Sequence, residues 1–282
     1  MLTRISTGLF LALAMVTTTA SAQMIVAHRG ASADAPENTL AAFALAWEQK
    51  ADAIEGDFYL TTDNQIVAIH DKSTKRTTGV ALEVCNSDYI DLKNLDAGSW
   101  KHNKYAGECI PTIEQVVALI PDDRTFVLEI KDTDRIVSEL AKKIREQKDF
   151  AALVPQRLKI ISFDAKVIKA CKEAMPEVTA IWLTSFKQDK KTGEMTPSID
   201  SILKTMQEIQ SDGLDCKAST HIDKKFVDQL RQARPDKPYE FHVWTVDDVE
   251  VAEHFIQLGV DSITTNRPAY LRENLELKEL AE

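Results

Sequence analysis

The feature that most constrains this chain is a repeat in which short β-rich runs alternate with longer stretches of helical periodicity. The runs are Met24 to His28, Ala53 to Phe58, Phe126 to Ile130, Lys159 to Phe163, Thr179 to Leu183, Gly213 to Asp215, Phe241 to Thr245 and Ser262 to Thr265, eight in all. Between them apolar residues recur at helical spacing: Leu40, Phe43 and Trp47; Ile136, Leu140 and Ile144; Ile199, Ile202, Met206 and Ile209; Phe226 with Leu230; Val251 with Phe255. Each such stretch reads as a helix with one face laid on a sheet. Helix starts are expected at Asp164, Asp223 and Asp247 as N-caps, and at Thr112 with Gln115 as a capping box. Alternating strands and helices build a parallel sheet, and eight repeats are enough to close it. The expected fold is α/β: a single (β/α)8 TIM barrel.

One connection departs from the repeat. Phe58 is separated from the apolar run Ile66 to His70 only by Tyr59 to Gln65, too short for a crossover helix. A β-hairpin turning at Asp63-Asn64 is expected there, after the second strand. The polar stretch Asp71 to Lys104 then forms a short insertion, expected to be irregular and close to the barrel mouth. Lys187 to Glu194 reads as a polar, mobile loop.

The first residues carry Arg4, an apolar core from Gly8 to Val16, and the small residues Ala20-Ser21-Ala22. That is the pattern of a secretory signal peptide. A membrane anchor needs roughly 20 apolar residues, and this run breaks at Thr17-Thr18-Thr19. Residues 1–22 are therefore expected to be a signal peptide and 23–282 one barrel domain, exported to a periplasm or secreted, with no stable membrane insertion. Of 34 basic and 44 acidic side chains, processing removes one Arg and no acid, leaving a net charge of −11. Such a surface repels polyphosphate backbones, which argues against a nucleic-acid partner. The sequence assigns no oligomeric state.

Four cysteines, Cys85, Cys109, Cys171 and Cys216, show no metal-binding spacing. Cys171 shares a helical face with Val167 and Ile168 and reads as a core thiol. Cys85 and Cys109 flank a polar segment, and in an exported protein they are a candidate disulfide pair.

Polar residues gather where the strands end, and in a βα barrel those ends converge on one mouth. His28-Arg29 ends the first strand and His70-Asp71 the hairpin. Glu55 and Asp57, two apart on the second strand, project from one face, as do Glu129 and Lys131. Three carboxylates at about 4 Å repel by roughly 1 kcal/mol per pair in water, and by about 4 at an effective dielectric of 20. A hard divalent cation reverses that sign, and oxygen ligands suit Mg²⁺ or Ca²⁺. Spacing alone leaves open that these are surface acids paired with Lys or Arg. His28 and His70 are candidates for general acid and base, Arg29 and Lys131 for phosphate contacts, and Trp244 for an apolar wall.

The run Ile25-Val26-Ala27-His28-Arg29-Gly30, followed by Pro36-Glu37-Asn38-Thr39, resembles the opening of the glycerophosphodiester phosphodiesterase family. Asp52-Ala53-Ile54-Glu55-Gly56-Asp57, Ile69-His70-Asp71, Leu128-Glu129-Ile130-Lys131, Trp244-Thr245-Val246, and Gly259-Val260-Asp261 with Arg267-Pro268 follow in the family's order. The resemblance implies a barrel enzyme hydrolysing small glycerophosphodiesters to sn-glycerol 3-phosphate and an alcohol. It implies one divalent cation on Glu55, Asp57 and Glu129, with His28 and His70 as acid and base. Arg29 and Lys131 then match phosphate contacts, and Trp244 a wall of the glycerol pocket. The mechanism implied is attack by the substrate's own hydroxyl, giving a cyclic phosphate that water opens. Two positions depart from the family's common pattern: Asn266 stands where Asp is frequent, and Gly56 replaces a bulkier residue. Gly56 is expected to loosen its strand, and Asn266 to weaken the hydrogen bonding that closes the barrel. Two alternatives are a phosphodiesterase for another small diester, such as a phosphorylated sugar or inositol head group, and a non-catalytic anion-binding barrel.

Overall fold

The computed structural model describes residues 23–219 and 221–279; the expected signal peptide lies outside them. Eleven strands are formed among the described residues: β1 (Met24–Ala27), β2 (Ala53–Leu60), β3 (Ile66–Ala68), β4 (Thr125–Ile130), β5 (Leu158–Ser162), β6 (Thr179–Thr184), β7 (Lys187–Gln188), β8 (Met195–Thr196), β9 (Gly213–Lys217), β10 (Glu240–Trp244) and β11 (Ser262–Thr265). Parallel pairing runs β1, β2, β4, β5, β6, β9, β10, β11 and back to β1, so eight strands close a barrel. All eight expected runs belong to it. β3 returns antiparallel along β2, with Phe58 opposite Ala68 and Asn64 in the turn at φ 61°. No described helix is long and apolar enough to cross a membrane.

Alternation along each strand separates two cores. Outward-facing Ile54, Phe58, Phe126, Leu128 and Ile130 pack on Phe43, Ile136, Leu140 and Ile144 of the surrounding helices. Leu214, Cys216, Phe241 and Val243 do the same with Ile202, Met206, Leu230 and Phe255. Inside the barrel, Val26, Ala53, Val127, Ile161, Ile181 and Leu183 form a separate cluster. The inward register that holds Ala53 and Val127 also carries Glu55, Asp57 and Glu129, with Asp57 opposite Glu129 across the β2–β4 ladder. The acids thus share a face because the strand period is two.

Asp164, Asp223 and the Thr112–Gln115 capping box start their helices as expected. Helix Val249–Gln257 is capped by Asp248 rather than Asp247. Val251 is exposed, and Val249 and Ala252 join Phe255 on the buried face. The segment Lys187 to Glu194 is not the plain loop expected, since β7 and β8 pair as a small hairpin. The insertion is also better ordered than its polarity suggests. It forms single-turn helices at Lys75–Thr78 and Tyr89–Leu92, and the second supplies Leu92 and Tyr89 to a small core with Tyr59, Val67, Val84 and Ile110.

Cys171 is fully buried, as expected of a core thiol. The candidate disulfide is not formed: both thiols are free, Cys85 facing the Asp132 carboxylate and Cys109 the Gly107 carbonyl. Gly56 does not loosen its strand either, because β2 runs unbroken through it. A Cβ there would stand 3.0 Å from Phe43 and 3.1 Å from Phe58, so the missing side chain makes room for two rings.

The turn after β1 depends on Gly30, at φ 76°, where an added Cβ would stand 2.5 Å from the Ala42 backbone carbon. Gly30→Ala is expected to destabilise the fold by more than about 2 kcal/mol, through backbone strain and overpacking together. Urea unfolding followed by circular dichroism measures this; a loss below about 0.5 kcal/mol would show that the turn is not locked against the Leu40–Glu48 helix that carries Ala42.

Candidate active site

The C-terminal strand ends surround a cavity of about 280 Å³. His28, Arg29, Glu55, His70, Glu129, Lys131 and Trp244, all singled out from the sequence, line it. Asp57 is not on its wall. It is fully buried, but its carboxylate belongs to one group with those of Glu55 and Glu129, an oxygen of each lying within 4.8 Å of the others. These acids are not surface residues.

Glu55 Oε1, Asp57 Oδ1 and Glu129 Oε1 are each buried without a hydrogen-bond partner among the described residues. Lys131 Nζ lies 2.9 Å from Glu129 Oε1 and 3.7 Å from Asp57 Oδ1, ion pairs formed without hydrogen-bond geometry. The second oxygens of Glu55 and Asp57 are engaged. Glu55 Oε2 accepts from the Arg29 backbone N–H at 2.9 Å, and Asp57 Oδ2 accepts from Asn38 Nδ2 at 2.8 Å. Burial, followed by the charges of Asp57 and Glu129, raises the Glu55 carboxyl well above the usual carboxylate range. Burial and Asp57 push Glu129 up to about 8. Oxygens sharing a hard cation at roughly 2.0–2.6 Å must lie within about 5 Å of one another, as these do. The trio is a buried acidic site compatible with a divalent metal, and orphaned inward-facing oxygens are what such an ion would satisfy.

The two imidazoles are oriented from behind. Asn266 Nδ2 donates to Asp247 Oδ2 at 2.7 Å, which turns Asn266 Oδ1 toward His28 Nδ1, also at 2.7 Å. Oδ1 only accepts, so Nδ1 carries the proton and Nε2 keeps its lone pair. Burial, and then the Arg29 charge, lower the His28 pKa below its usual 6.5. Asn266 therefore makes the hydrogen bonds that were in doubt, and Asp247, no N-cap, anchors them. His70 Nδ1 lies 2.7 Å from Asp71 Oδ1. Hydrogen bonding to Arg76 holds Asp71 down to about 2, so this carboxylate accepts from Nδ1. His70 Nε2 then stands 3.3 Å from Lys131 Nζ. Arg76, from the insertion, also pairs with Glu37, which pairs with Arg29.

Cations occupy the same wall. Arg29, at φ 57°, sends Nε to within 3.1 Å of Asp57 Oδ2. Lys131 keeps its proton because Glu129 and Asp57 outweigh the burial that works against its charge. The remaining wall is largely apolar: Ile161, Leu183, Trp244, and Phe163, which meets Trp244 edge-to-face at 5.5 Å. Phe163 and Asp215 were not singled out as site residues. The available signals were a charge inside a buried strand for Asp215 and the position just past a strand for Phe163. His242 lies at the other end of the barrel, bonded to Ser262 and Glu240.

The sequence matches the Glycerophosphoryl diester phosphodiesterase family over residues 28–270. It is 32% identical to a glycerophosphodiester phosphodiesterase of Caldanaerobacter subterraneus subsp. tengcongensis, over 88% of this chain and 96% of that one. A Bacillus subtilis glycerophosphodiester phosphodiesterase is 28% identical over 87% of this chain and 84% of its own. Among solved structures, an Oleispira antarctica phosphodiesterase in complex with the product sn-glycerol-3-phosphate superposes with a TM-score of 0.73. It is 26% identical, and the match covers 90% of this chain and 96% of that one. With the barrel and the grouped acids, histidines and cations in one cavity, these matches show that the chain belongs to the glycerophosphoryl diester phosphodiesterase family, whose members are phosphoric diester hydrolases.

Proposed function

We propose that the chain hydrolyses small glycerophosphodiesters to sn-glycerol 3-phosphate and an alcohol, with one divalent cation, Mg²⁺ or Ca²⁺, and two histidines. The observation that carries this is the meeting of three orphaned carboxylate oxygens, two oriented imidazoles and two cationic side chains at one mouth. Glu55, Asp57 and Glu129 would hold the cation, which supplies charge neutralisation at a phosphoryl group. Arg29 and Lys131 bind the phosphate oxygens and orient the phosphorus between the rings. His28, neutral with Nε2 free, takes the proton from the attacking glycerol hydroxyl. His70 acts in its cationic form, Nδ1–H fixed on Asp71, and delivers the second proton, on Nε2, to the leaving alcohol once Lys131 has turned to the phosphate. The roles reverse when water opens the cyclic phosphate. The apolar wall of Phe163 and Trp244 covers the carbon part of the substrate and excludes water. Residues 1–22, with their leader-like pattern, support export of this activity to a periplasm or beyond.

The test is a panel assay of the purified protein with glycerophosphocholine, glycerophosphoethanolamine, an inositol-containing diester and a sugar diester, each with Mg²⁺, Ca²⁺ or neither. Release of sn-glycerol 3-phosphate from the first two is the expected result. Cleavage confined to the inositol or sugar diester would replace the substrate class, and no cleavage of any diester would leave only an anion-binding barrel.

A further inference from the structure

Across the barrel from the acids stands a carboxyl that the reaction above does not use. Asp215 lies on β9, and three barrel strands separate β9 from β2 in either direction. Asp215 is 3% exposed and lines the cavity, and its Oδ1 has no hydrogen-bond partner among the described residues. Its register partners are apolar Leu183 on β6 and, on β10, His242, whose two ring nitrogens are already engaged by Ser262 and Glu240. Leaving a buried polar group unpaired is destabilising, so an apolar residue would serve the fold better at this position. Asp215 is also not among the acids whose oxygens cluster within 4.8 Å. On the adjoining strand β10, Trp244 Nε1 is a buried donor that likewise has no partner among the described residues. An unsatisfied acceptor and an unsatisfied donor on neighbouring strands match one hydroxyl group, which donates to the first and accepts from the second. Burial, and then the Glu129 charge, raise the Asp215 carboxyl well above its usual range, which suits a neutral polyol rather than a cationic ligand.

We propose that Asp215, together with the Trp244 indole N–H, holds the primary hydroxyl of the glycerol arm. The secondary hydroxyl then faces His28 and the phosphorus, and Asp215 determines specificity for glycerol-type diesters. This rests on the glycerophosphodiester reading above.

The experiment compares two chromogenic diesters that differ by this one hydroxyl, glyceryl 4-nitrophenyl phosphate and 2-hydroxypropyl 4-nitrophenyl phosphate. Both retain the attacking secondary hydroxyl. The unaltered chain should prefer the glyceryl diester by about 10- to 100-fold in kcat/KM, since a site built to pair a hydroxyl rejects the analogue that lacks it. In Asp215→Leu that preference should fall to within about threefold, and Asp215→Asn, which keeps an acceptor, should retain part of it. The readout is a ratio between substrates, which a general loss of folded protein does not move. Parallel loss on both substrates, or a preference surviving in both variants, overturns the assignment. An unaltered chain that cleaves both diesters equally well overturns it while leaving the hydrolase reading intact; cleavage of neither overturns both.

Discussion

His28→Ala and His70→Ala are each expected to lower kcat by at least about 10², the contribution a positioned proton-transfer group makes. The expectation comes from how each ring is held. Asp247 fixes Asn266, Asn266 fixes Nδ1 of His28, and the free Nε2 is left to act on the substrate. Asp71, itself pinned by Arg76, does the corresponding work for His70. Steady-state assays on glycerophosphoethanolamine measure the loss, and either variant retaining nearly full turnover would show the acid and base to be misassigned. The pH profile gives a second reading. A base must be deprotonated to act, and burial and Arg29 lower the His28 pKa, so the acid limb of kcat/KM should lie below pH 6.5. An acid limb centred above pH 7 would assign the base to another group.

The barrel and most of the site are legible in the sequence for one physical reason: strand alternation puts residues two apart on one face. Glu55 with Asp57, and Glu129 with Lys131, follow directly from that period. Features set by partners distant in the chain were not legible. Asp247 looks like an N-cap because it precedes a helix, yet its carboxylate accepts from Asn266 and Thr265 across 18 or more residues. Gly56 looks like a weak point until Phe43 and Phe58 are seen to occupy its side-chain space. Cys85 and Cys109 look like a pair in a polar segment, but local packing aims their thiols at different oxygens. Asp215 offered only a charge inside a short apolar run, and the lack of a hydrogen-bond partner for its Oδ1 among the described residues is a property of the closed barrel.

Removal of divalent ions should lower turnover by about 10³, since the charge stabilisation such an ion supplies is worth several kcal/mol. It should also leave a signature in stability. Glu129 has a folded pKa of about 8 against an ordinary value of 4.5, and Glu55 is raised in the same direction, chiefly by burial. Groups raised in this way bind more protons folded than unfolded. Their contribution is fully present below pH 4.5 and is lost as pH rises toward 8, at about 1.4 kcal/mol for each pKa unit. The chelated protein should therefore lose several degrees of Tm between pH 5 and pH 8. A cation bound to the deprotonated acids stabilises the folded state by mass action and should flatten or reverse that trend. Calorimetric melts with chelator, Mg²⁺ and Ca²⁺ across this range decide the matter. Undiminished turnover after thorough chelation would remove the ion from the reaction. A Tm that ignores both pH and metal would mean that Glu55, Asp57 and Glu129 are satisfied by something other than a cation.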